Sequence, residues 1–133
     1  MRKRLWPEID ASGLARDVHA FFASARVPAL DAAFIAEDEG ARPIGFLELS
    51  IRPFSDGCDS MPVPHVEGWY VEVDARNRGI GRALLRAAEE WAKERGFREL
   101  ASDTEVKNLD SQHAHMTCGF EEVDRLVKFR KKL

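Results

Sequence analysis

A strand pattern that passes through a short arginine- and glycine-rich turn straight into an amphipathic helix constrains this chain most. Alternation over residues 65–73 places Trp69 and Val71 on one face of the predicted strand. Beyond the turn, apolar residues recur at three- and four-residue steps from about Gly79 to Arg95 and predict a helix with one buried stripe. The sequence therefore predicts an α/β fold. The stripe consists of Ile80, Leu84, Leu85, Ala88, Trp91 and Ala92.

The turn itself predicts an anion site. Gly79 and Gly81 carry no Cβ, so the backbone can turn sharply and a ligand can come close to the amides. Those amides are the unpaired donors of a helix N-terminus, whose dipole favours negative charge. Arg76, Arg78 and Arg82 add positive charge at the same point. A phosphate or pyrophosphate cradle is the functional interpretation, and a plain strand-to-helix turn that needs two glycines is the structural one.

The spacing of the glycines narrows the choice of ligand. No third glycine follows Gly81 three residues on, as the dinucleotide fingerprint requires, and no Gly-Lys-Ser/Thr is present. The pattern Arg76-x-x-Gly79-x-Gly81 resembles the acyl-CoA loop of the GNAT acetyltransferase superfamily, Arg/Gln-x-x-Gly-x-Gly/Ala between a strand and a helix. This resemblance implies that the pyrophosphate of coenzyme A lies on the amides of residues 78–82. It also implies that backbone groups of residues 69–71 hold the acetyl-pantetheine arm like an added strand.

Composition limits the possible partners and location. A chain of 133 residues is expected to form one domain, residues 1–133. A net charge of −3 argues against a nucleic-acid partner and suits a small cationic substrate. No apolar run of membrane-spanning length and no leader pattern is seen, so we expect no membrane partner. Cys58 and Cys118 are too few for a disulfide framework and lack zinc-ligand spacing, which favours a cytoplasmic location and no metal.

The rest of the chain supplies further strands and helices around the turn. Gly68 inside the central strand indicates a bulge or a close backbone contact. The Gly-, Pro- and Ser-rich loop over residues 52–64 is where a binding site is expected. Strands are predicted over residues 32–37, 43–51, 98–102, 122–127 and 128–133, and helices over residues 14–25 and 108–118.

Several short segments outside the turn carry a more specific pattern. They are Arg4-Leu5-Trp6-Pro7, Gly57-Cys58-Asp59-Ser60-x-Pro62, Val66-Glu67-Gly68, Ala101-Ser102-Asp103-Thr104, Asn108-x-x-Ser111-Gln112-x-x-His115, Gly119-Phe120-Glu121-Glu122 and Arg125-Leu126-Val127-x-Phe129-Arg130-Lys131. Together they resemble the aminoglycoside 6′-N-acetyltransferases, a branch of that superfamily, over nearly the whole chain and most weakly over residues 10–40. The resemblance implies a mixed, mostly antiparallel sheet flanked by helices. Full-length relatives begin with a strand and most of a helix before Leu-Trp-Pro, so we expect either a late start codon or a shortened form that lacks the first strand and whose sheet edge a homodimer covers.

The resemblance also assigns residues to two substrates. Phe54 stands near a family tyrosine and offers no hydroxyl, and Asp124 stands where relatives can carry glutamate, so the drug pocket is expected to be altered. The alternative for Trp6 is an aromatic residue at the core edge, and for Asp103 and Asp124 a capping or turn carboxylate. Acetyl-CoA contacts fall on Trp69, Val71, Arg76, Arg78, Gly79, Ile80, Gly81, Arg82, Ala83 and Asn108. Aminoglycoside contacts fall on Trp6, Phe54, Glu67, Asp103 and Asp124.

Acetyl transfer to an amine needs a base, a polarised thioester carbonyl and a proton for the leaving thiolate. Glu67 is the candidate base, directly or through water, and its alternative is a solvent-facing charge at a strand edge. A backbone N–H near Val71 would polarise the carbonyl. His115 stands four residues before the Gly-Phe pair, where the superfamily often has a tyrosine proton donor. A structural helix histidine, with positioning alone driving transfer, is the alternative for His115.

These observations predict an enzyme that transfers acetyl from acetyl-CoA to a primary amine, the 6′-amine of an aminoglycoside. An enzyme of the same fold that acts on another metabolic amine or polyamine is the nearest alternative. A CoA-binding module that has lost catalysis is a second alternative, and a protein-modifying enzyme is a third. The sequence leaves these open.

Overall fold

The computed structural model of the 133-residue chain describes residues 1–5, 7–8 and 30–133. Trp6 and the helix predicted over residues 14–25 lie outside the described residues. In chain order the elements are helix α1 (Arg2–Leu5), strands β1 (Ala32–Glu37), β2 (Pro43–Arg52) and β3 (Val63–Val71), a 3₁₀ turn (Val73–Ala75), helix α2 (Ile80–Glu94), strand β4 (Ala101–Ser102) and helix α3 (Leu109–Thr117).

The described strands form one mixed sheet in the order β1-β2-β3-β4. β1, β2 and β3 pair antiparallel, whereas β4 runs parallel to β3. The β3–β4 pairing comprises only two residue pairs, His65 with Ala101 and Val66 with Ser102. The second half of β3, from Gly68 to Val71, therefore extends past the end of its pairing with β4. The predicted α/β fold with a mostly antiparallel central sheet is confirmed.

A β-bulge interrupts β3 at Glu67. Glu48 of β2 pairs with Gly68, but the next residue, Leu49, pairs with Val66. Glu67 is thus the extra residue that has no partner position on β2, and a bulge redirects the side chain that it carries. The bulge predicted from Gly68 is confirmed, and it falls on the candidate base.

Helix α2 covers one face of the sheet and forms the core with it. Its buried side chains Leu84, Leu85 and Ala88 pack against Leu47 and Leu49 of β2. Each fully buried leucine contributes about 1.5–3 kcal/mol relative to an exposed one. This burial fixes the start of α2 against β3 and so fixes the position of the glycine turn.

The chain after Phe120 differs from its prediction. Residues 122–127 and 128–133 were expected as strands, but the structure assigns no strand there and residues 121–133 are exposed. Val123, Val127 and Phe129 expose 62%, 77% and 92% of their surfaces. A β-strand needs a neighbour for its backbone hydrogen bonds, and the described strands place no pairing partner beside this segment. Alternating apolar residues alone were therefore not sufficient to predict strands in this segment. The strand predicted over residues 98–102 is also shorter, Ala101–Ser102.

Candidate functional site

The glycine turn lies at the head of α2. Gly79 precedes the first residue of α2 with a left-handed backbone (φ +78°) that favours glycine, and no side chain caps the helix there. The amide of Ala83 donates to the carbonyl of Gly79 at 2.9 Å, so the helical ladder begins at Ala83. The amides of residues 80–82 come before that first bond and have no partner within the helix. They are the donors that an anion at this point would use.

Trp69 on β3 connects the turn to the sheet. Its indole Nε1 donates to the carbonyl of Gly81 at 3.1 Å. A Cβ on Gly81 would lie 3.4 Å from the indole ring, so glycine leaves a tight fit between the tryptophan and the turn. Ile80 is half-buried beside this contact and packs against the core. The start of α2 is thereby held next to the part of β3 that lies beyond β4.

Three exposed arginines surround the head of α2. Arg76 Nε donates to the carbonyl of Val71 at 3.0 Å, and its guanidinium lies 5.7 Å from the centre of the Tyr70 ring. Arg82 Nη2 donates to the carbonyl of Thr117 at 2.9 Å. Arg78 is exposed in the turn itself. The arrangement combines positive charge with helix N-terminal donors, which suits a diphosphate.

Helix α3 brings two further predicted residues to this side of the sheet. Asn108 caps α3 by accepting from the amide of Ser111 at 3.2 Å. His115 lies half-buried with its ring edge against Trp69, at 5.3 Å between ring centroids, and against Phe120, at 5.1 Å. Its Nδ1 contacts the carbonyl of Ser111 at 2.7 Å and its Nε2 contacts Ser102 Oγ at 2.7 Å.

On the opposite face of the sheet, Glu67 is the centre of a polar cluster. Arg52 donates to it with two nitrogens, Nε to Oε1 and Nη2 to Oε2, each at 2.9 Å. Ser50 Oγ donates to the same Oε1. The Glu67 side chain is only partly exposed, at 28%. A forked guanidinium contact fixes a carboxylate in orientation as well as position, so Glu67 is not a freely moving charge at a strand edge.

His65 lies between the two predicted amine-binding carboxylates. Its side chain is 2% exposed, with Nε2 3.4 Å from Asp103 Oδ2 and Nδ1 3.6 Å from Glu67 Oε1. The hydrogen bond from His65 holds the pKa of Asp103 below its ordinary value against the opposing effect of burial, and the charges of His65, Arg52 and Lys128 act in the same direction. Glu67 and Asp103, 36 positions apart in sequence, are therefore brought together.

Two more carboxylates, each paired with an arginine, continue this polar cluster. Arg2 Nε lies 3.0 Å from Glu48 Oε1, and both side chains are largely buried. Arg4 pairs with Glu72, which also accepts from the Tyr70 hydroxyl at 3.1 Å. Burial would raise the pKa of Glu72, but the hydrogen bonds from Arg4 and Tyr70 outweigh it and hold the pKa below its ordinary value.

Phe54 and Asp124 lie on exposed segments at the edge of this face. Phe54 exposes 63% of its surface, and Asp124 Oδ1 accepts from the amide of Arg125 at 2.6 Å. Their segments meet where Val123 packs on Gly57, since a Cβ on Gly57 would lie 2.4 Å from Val123. Glu99 holds the loop from the other side by accepting from the amides of Asp59 at 3.1 Å and Ser60 at 2.5 Å.

Several residues of this site were not predicted from the sequence. Ser50, Arg52 and His65 surround Glu67, and Ser102 contacts His115. One signal was available for the first two, because polar residues alternate with Leu47, Leu49 and Ile51 along β2 and indicate a polar sheet face. No local pattern distinguishes His65 or Ser102, whose partners are distant in sequence.

Neither a membrane span nor a metal cluster is found in the part of the chain that the structure describes. None of its helices there has the length and apolarity needed to cross a bilayer. Across residues 1–5, 7–8 and 30–133, no three His, Cys, Asp or Glu side chains form a group able to hold a metal ion.

Comparison with known proteins identifies the family. The model of the Acetyltransferase (GNAT) family matches residues 1–120. An aminoglycoside N(6′)-acetyltransferase type 1 of Klebsiella aerogenes is 44% identical over 133 residues, which is 100% of this chain and 87% of that protein. One of Stenotrophomonas maltophilia is 38% identical over 134 residues, 100% of this chain and 84% of the relative.

Solved structures agree with this result. A structure of AAC(6′)-Iy in complex with the bisubstrate analogue CoA-S-monomethyl-acetylneamine is 37% identical, has a TM-score of 0.87 and is matched over 100% of this chain and 88% of that one. The apo aminoglycoside 6′-N-acetyltransferase AAC(6′)-IG of Acinetobacter haemolyticus is 32% identical, with a TM-score of 0.85 over 99% of this chain and 88% of that one. The chain therefore belongs to the GNAT acetyltransferase family and, within it, groups with the aminoglycoside N(6′)-acetyltransferases.

Proposed function

We propose that this chain is an acetyl-CoA-dependent N-acetyltransferase that transfers an acetyl group to the 6′-amine of aminoglycoside antibiotics and so confers resistance to them. One observation carries the proposal. The donors at the head of α2 stand beside the half of β3 that extends past β4, and the other face of the same strand carries the Glu67 cluster. A diphosphate ligand and a cationic amine would thus meet at one strand, within a single domain of residues 1–133. The relatives' names and the CoA–aminoglycoside analogue of the solved neighbour support both substrates.

The coenzyme side would use backbone donors. The amides of Arg78, Gly79, Ile80, Gly81 and Arg82 receive the pyrophosphate of acetyl-CoA, and Ala83 closes the first helical turn. Arg76, Arg78 and Arg82 neutralise its charge, and Asn108 keeps the start of α3 in place. The free edge of β3 at Trp69 and Val71 pairs with the pantetheine arm, and an amide near Val71 polarises the thioester carbonyl. No metal takes part in this chemistry.

The amine side would use carboxylates. Glu67 takes the proton of the attacking ammonium group, directly or through water, while Ser50 and Arg52 hold it in place. Asp103 and Asp124 bind other ammonium groups of the antibiotic, and Phe54 and Trp6 line the pocket. The net charge of −3 of the chain favours a polycation, and we expect neither nucleic acid nor a membrane as a partner.

The enzyme would act in the cytoplasm as a homodimer, and the C-terminal segment, residues 121–133, supports the dimer. Val123, Leu126, Val127, Phe129 and Leu133 are all exposed. An apolar segment of this extent favours cover from a partner, and a second copy is the simplest one.

Thiol release from acetyl-CoA tests the function directly. The purified chain should release coenzyme A thiol with kanamycin or tobramycin far faster than with spermidine or peptide N-termini. Glu67→Gln should abolish most of this turnover, whereas Glu89→Gln, an exchange of the same type on the outer face of α2, should not. Tight acetyl-CoA binding without turnover on any amine would instead identify a non-catalytic CoA-binding module.

A further inference from the structure

The contact between Ser102 and His115 is not used by the chemistry described above. His115 Nδ1 lies 2.7 Å from the carbonyl oxygen of Ser111, and a carbonyl can only accept. Nδ1 therefore carries a hydrogen, and in the neutral ring Nε2 is left as an acceptor. Ser102 Oγ lies 2.7 Å from that Nε2. The two nitrogens are thus both engaged within the protein, so the ring does not itself point a free N–H at a ligand.

The position of Ser102 relates this pair to the thioester. Ser102 is the last residue of β4, and its pairing with Val66 is the last between β3 and β4. Beyond it lies the edge of β3 that is proposed to hold the pantetheine arm. The His115 ring is fixed by its edge contacts with Trp69 and Phe120. Trp69 also bonds the glycine turn, so the pair sits next to the coenzyme side of the sheet.

We propose that Ser102 is the residue that protonates the departing coenzyme A sulfur, with His115 as the source of its proton. This inference rests on the proposed function. As the carbon–sulfur bond breaks, the Ser102 hydroxyl gives its proton to the thiolate. Ser102 Oγ takes the Nε2 proton of the protonated imidazole in the same step. His115 is left neutral with its hydrogen on Nδ1, where the Ser111 carbonyl accepts it, and solvent protonates Nε2 again before the next turnover. One proton passes from Nε2 to Oγ and one from Oγ to the sulfur, so coenzyme A leaves as the neutral thiol and His115 loses its positive charge.

The Ser102–His115 pair differs from a single direct proton donor in how the rate responds when one or both residues are removed. Ser102 contacts the reacting sulfur, whereas His115 acts through Ser102 and is a positioning and proton-storing residue. Residues that act as one unit are strongly non-additive when removed together. Loss of either should therefore slow acetyl transfer about 100-fold, in the range of general acid catalysis, and loss of both should cost no more.

Single-turnover thiol release, with enzyme in excess over acetyl-CoA and a saturating aminoglycoside, measures the chemical step without product release. We expect Ser102→Ala, His115→Gln and the double variant to share one reduced rate and to lower the solvent deuterium isotope effect towards unity. Acetyl-CoA affinity by calorimetry should not change. Ser102→Thr, which keeps a hydroxyl, should retain most of the rate. His113→Gln, the same exchange at an exposed histidine of α3, should match the wild type.

A Ser102→Ala rate within about twofold of the wild type, or a double variant whose losses multiply, would overturn the relay. If Ser102→Ala does not fold, the Ser102→Thr rate and the isotope effects of the wild type and His115→Gln decide the matter. A solvent deuterium isotope effect in His115→Gln as large as that of the wild type would overturn the relay. An absence of any aminoglycoside turnover in the wild type would sink the proposed function itself, which is a different result from a slow variant that still binds acetyl-CoA.

Discussion

The two faces of β3 are built in different ways. The coenzyme side is mainly a continuous stretch, residues 69–83, whose backbone amides, three arginines and Trp69–Gly81 bond make the site, and Asn108 is added from the start of α3. The amine side collects side chains from β2, from the bulge of β3, from the residue after β4 and from two exposed segments. A site made of backbone donors tolerates few changes of shape, whereas a site made of side chains can change its preference one residue at a time. Substitutions on the coenzyme side should therefore lower turnover with every amine. Substitutions on the amine side should change only the reaction with the amine and leave acetyl-CoA binding unchanged.

The largest effect is expected from Gly81→Glu. The new side chain would start 3.4 Å from the Trp69 ring and would bring negative charge to the helix N-terminus. We expect acetyl-CoA affinity to fall about 100-fold or more, equivalent to about 3 kcal/mol, with loss of turnover on all amines. Calorimetry measures the affinity. Gly40→Glu, the same exchange in an exposed turn away from the site, is the control. Unchanged acetyl-CoA affinity in Gly81→Glu would show that the coenzyme does not bind at this turn.

The contrast between the two faces also explains what the sequence revealed. The glycine turn, the helix after it and the bulge depend on neighbouring residues, and all three were predictable. The Glu67 cluster depends on the register of β2 with β3, which places Ser50 and Arg52 beside a bulged residue. No local pattern encodes that register. The same limit explains the C-terminal segment, because whether alternating apolar residues form a strand depends on a neighbouring chain segment.

Gly57→Ala should be the largest change confined to the amine side. Its Cβ would overlap Val123 at 2.4 Å, and the left-handed backbone at Gly57 (φ +77°) adds strain. We expect this overlap to displace Asp124 and Phe54 and to raise the KM for aminoglycosides at least tenfold, or about 1.4 kcal/mol, while leaving acetyl-CoA affinity unchanged. Gly96→Ala is the matched control, since Gly96 has the same backbone (φ +83°) and no neighbour within 4 Å. Equal effects of both variants would mean that strain alone, rather than the Val123 contact, is responsible.

Arg52→Lys should have a smaller effect on the same side. A lysine keeps the charge but cannot make the two parallel bonds to Glu67 that Arg52 makes. We expect kcat/KM for aminoglycosides to fall about tenfold through loss of orientation of Glu67, with unchanged KM for acetyl-CoA. Arg42→Lys, in an exposed pair with Asp38 and Asp74, should leave both constants unchanged. A loss of acetyl-CoA affinity in Arg52→Lys would contradict the separation of the two faces.

The smallest effect concerns stability against pH. The pKa of Asp103 in the folded chain is below its ordinary value because of its hydrogen bond to His65, so the ionised form stabilises the fold. That contribution is complete above the pKa of the unfolded chain, about 3.9, and is lost as the pH falls through the lower folded value. Since the side chain is 68% exposed, screening limits it to about 1 kcal/mol or less.

Asp103→Asn should therefore lower the thermal midpoint at pH 6 slightly, and the difference from the wild type should shrink as the pH falls below about 4. Asp38→Asn provides a comparison outside the site, because hydrogen bonds from Arg42 likewise hold the pKa of Asp38 below its ordinary value. In both variants the difference in thermal midpoint from the wild type should shrink in the same way as the pH falls. Only Asp103→Asn should raise the aminoglycoside KM. A pH-independent stability difference for Asp103→Asn would show that the His65 contact does not stabilise the ionised carboxylate. In that case Asp103 would bind the amine as an isolated charge, and the amine side would be less interconnected than the geometry indicates.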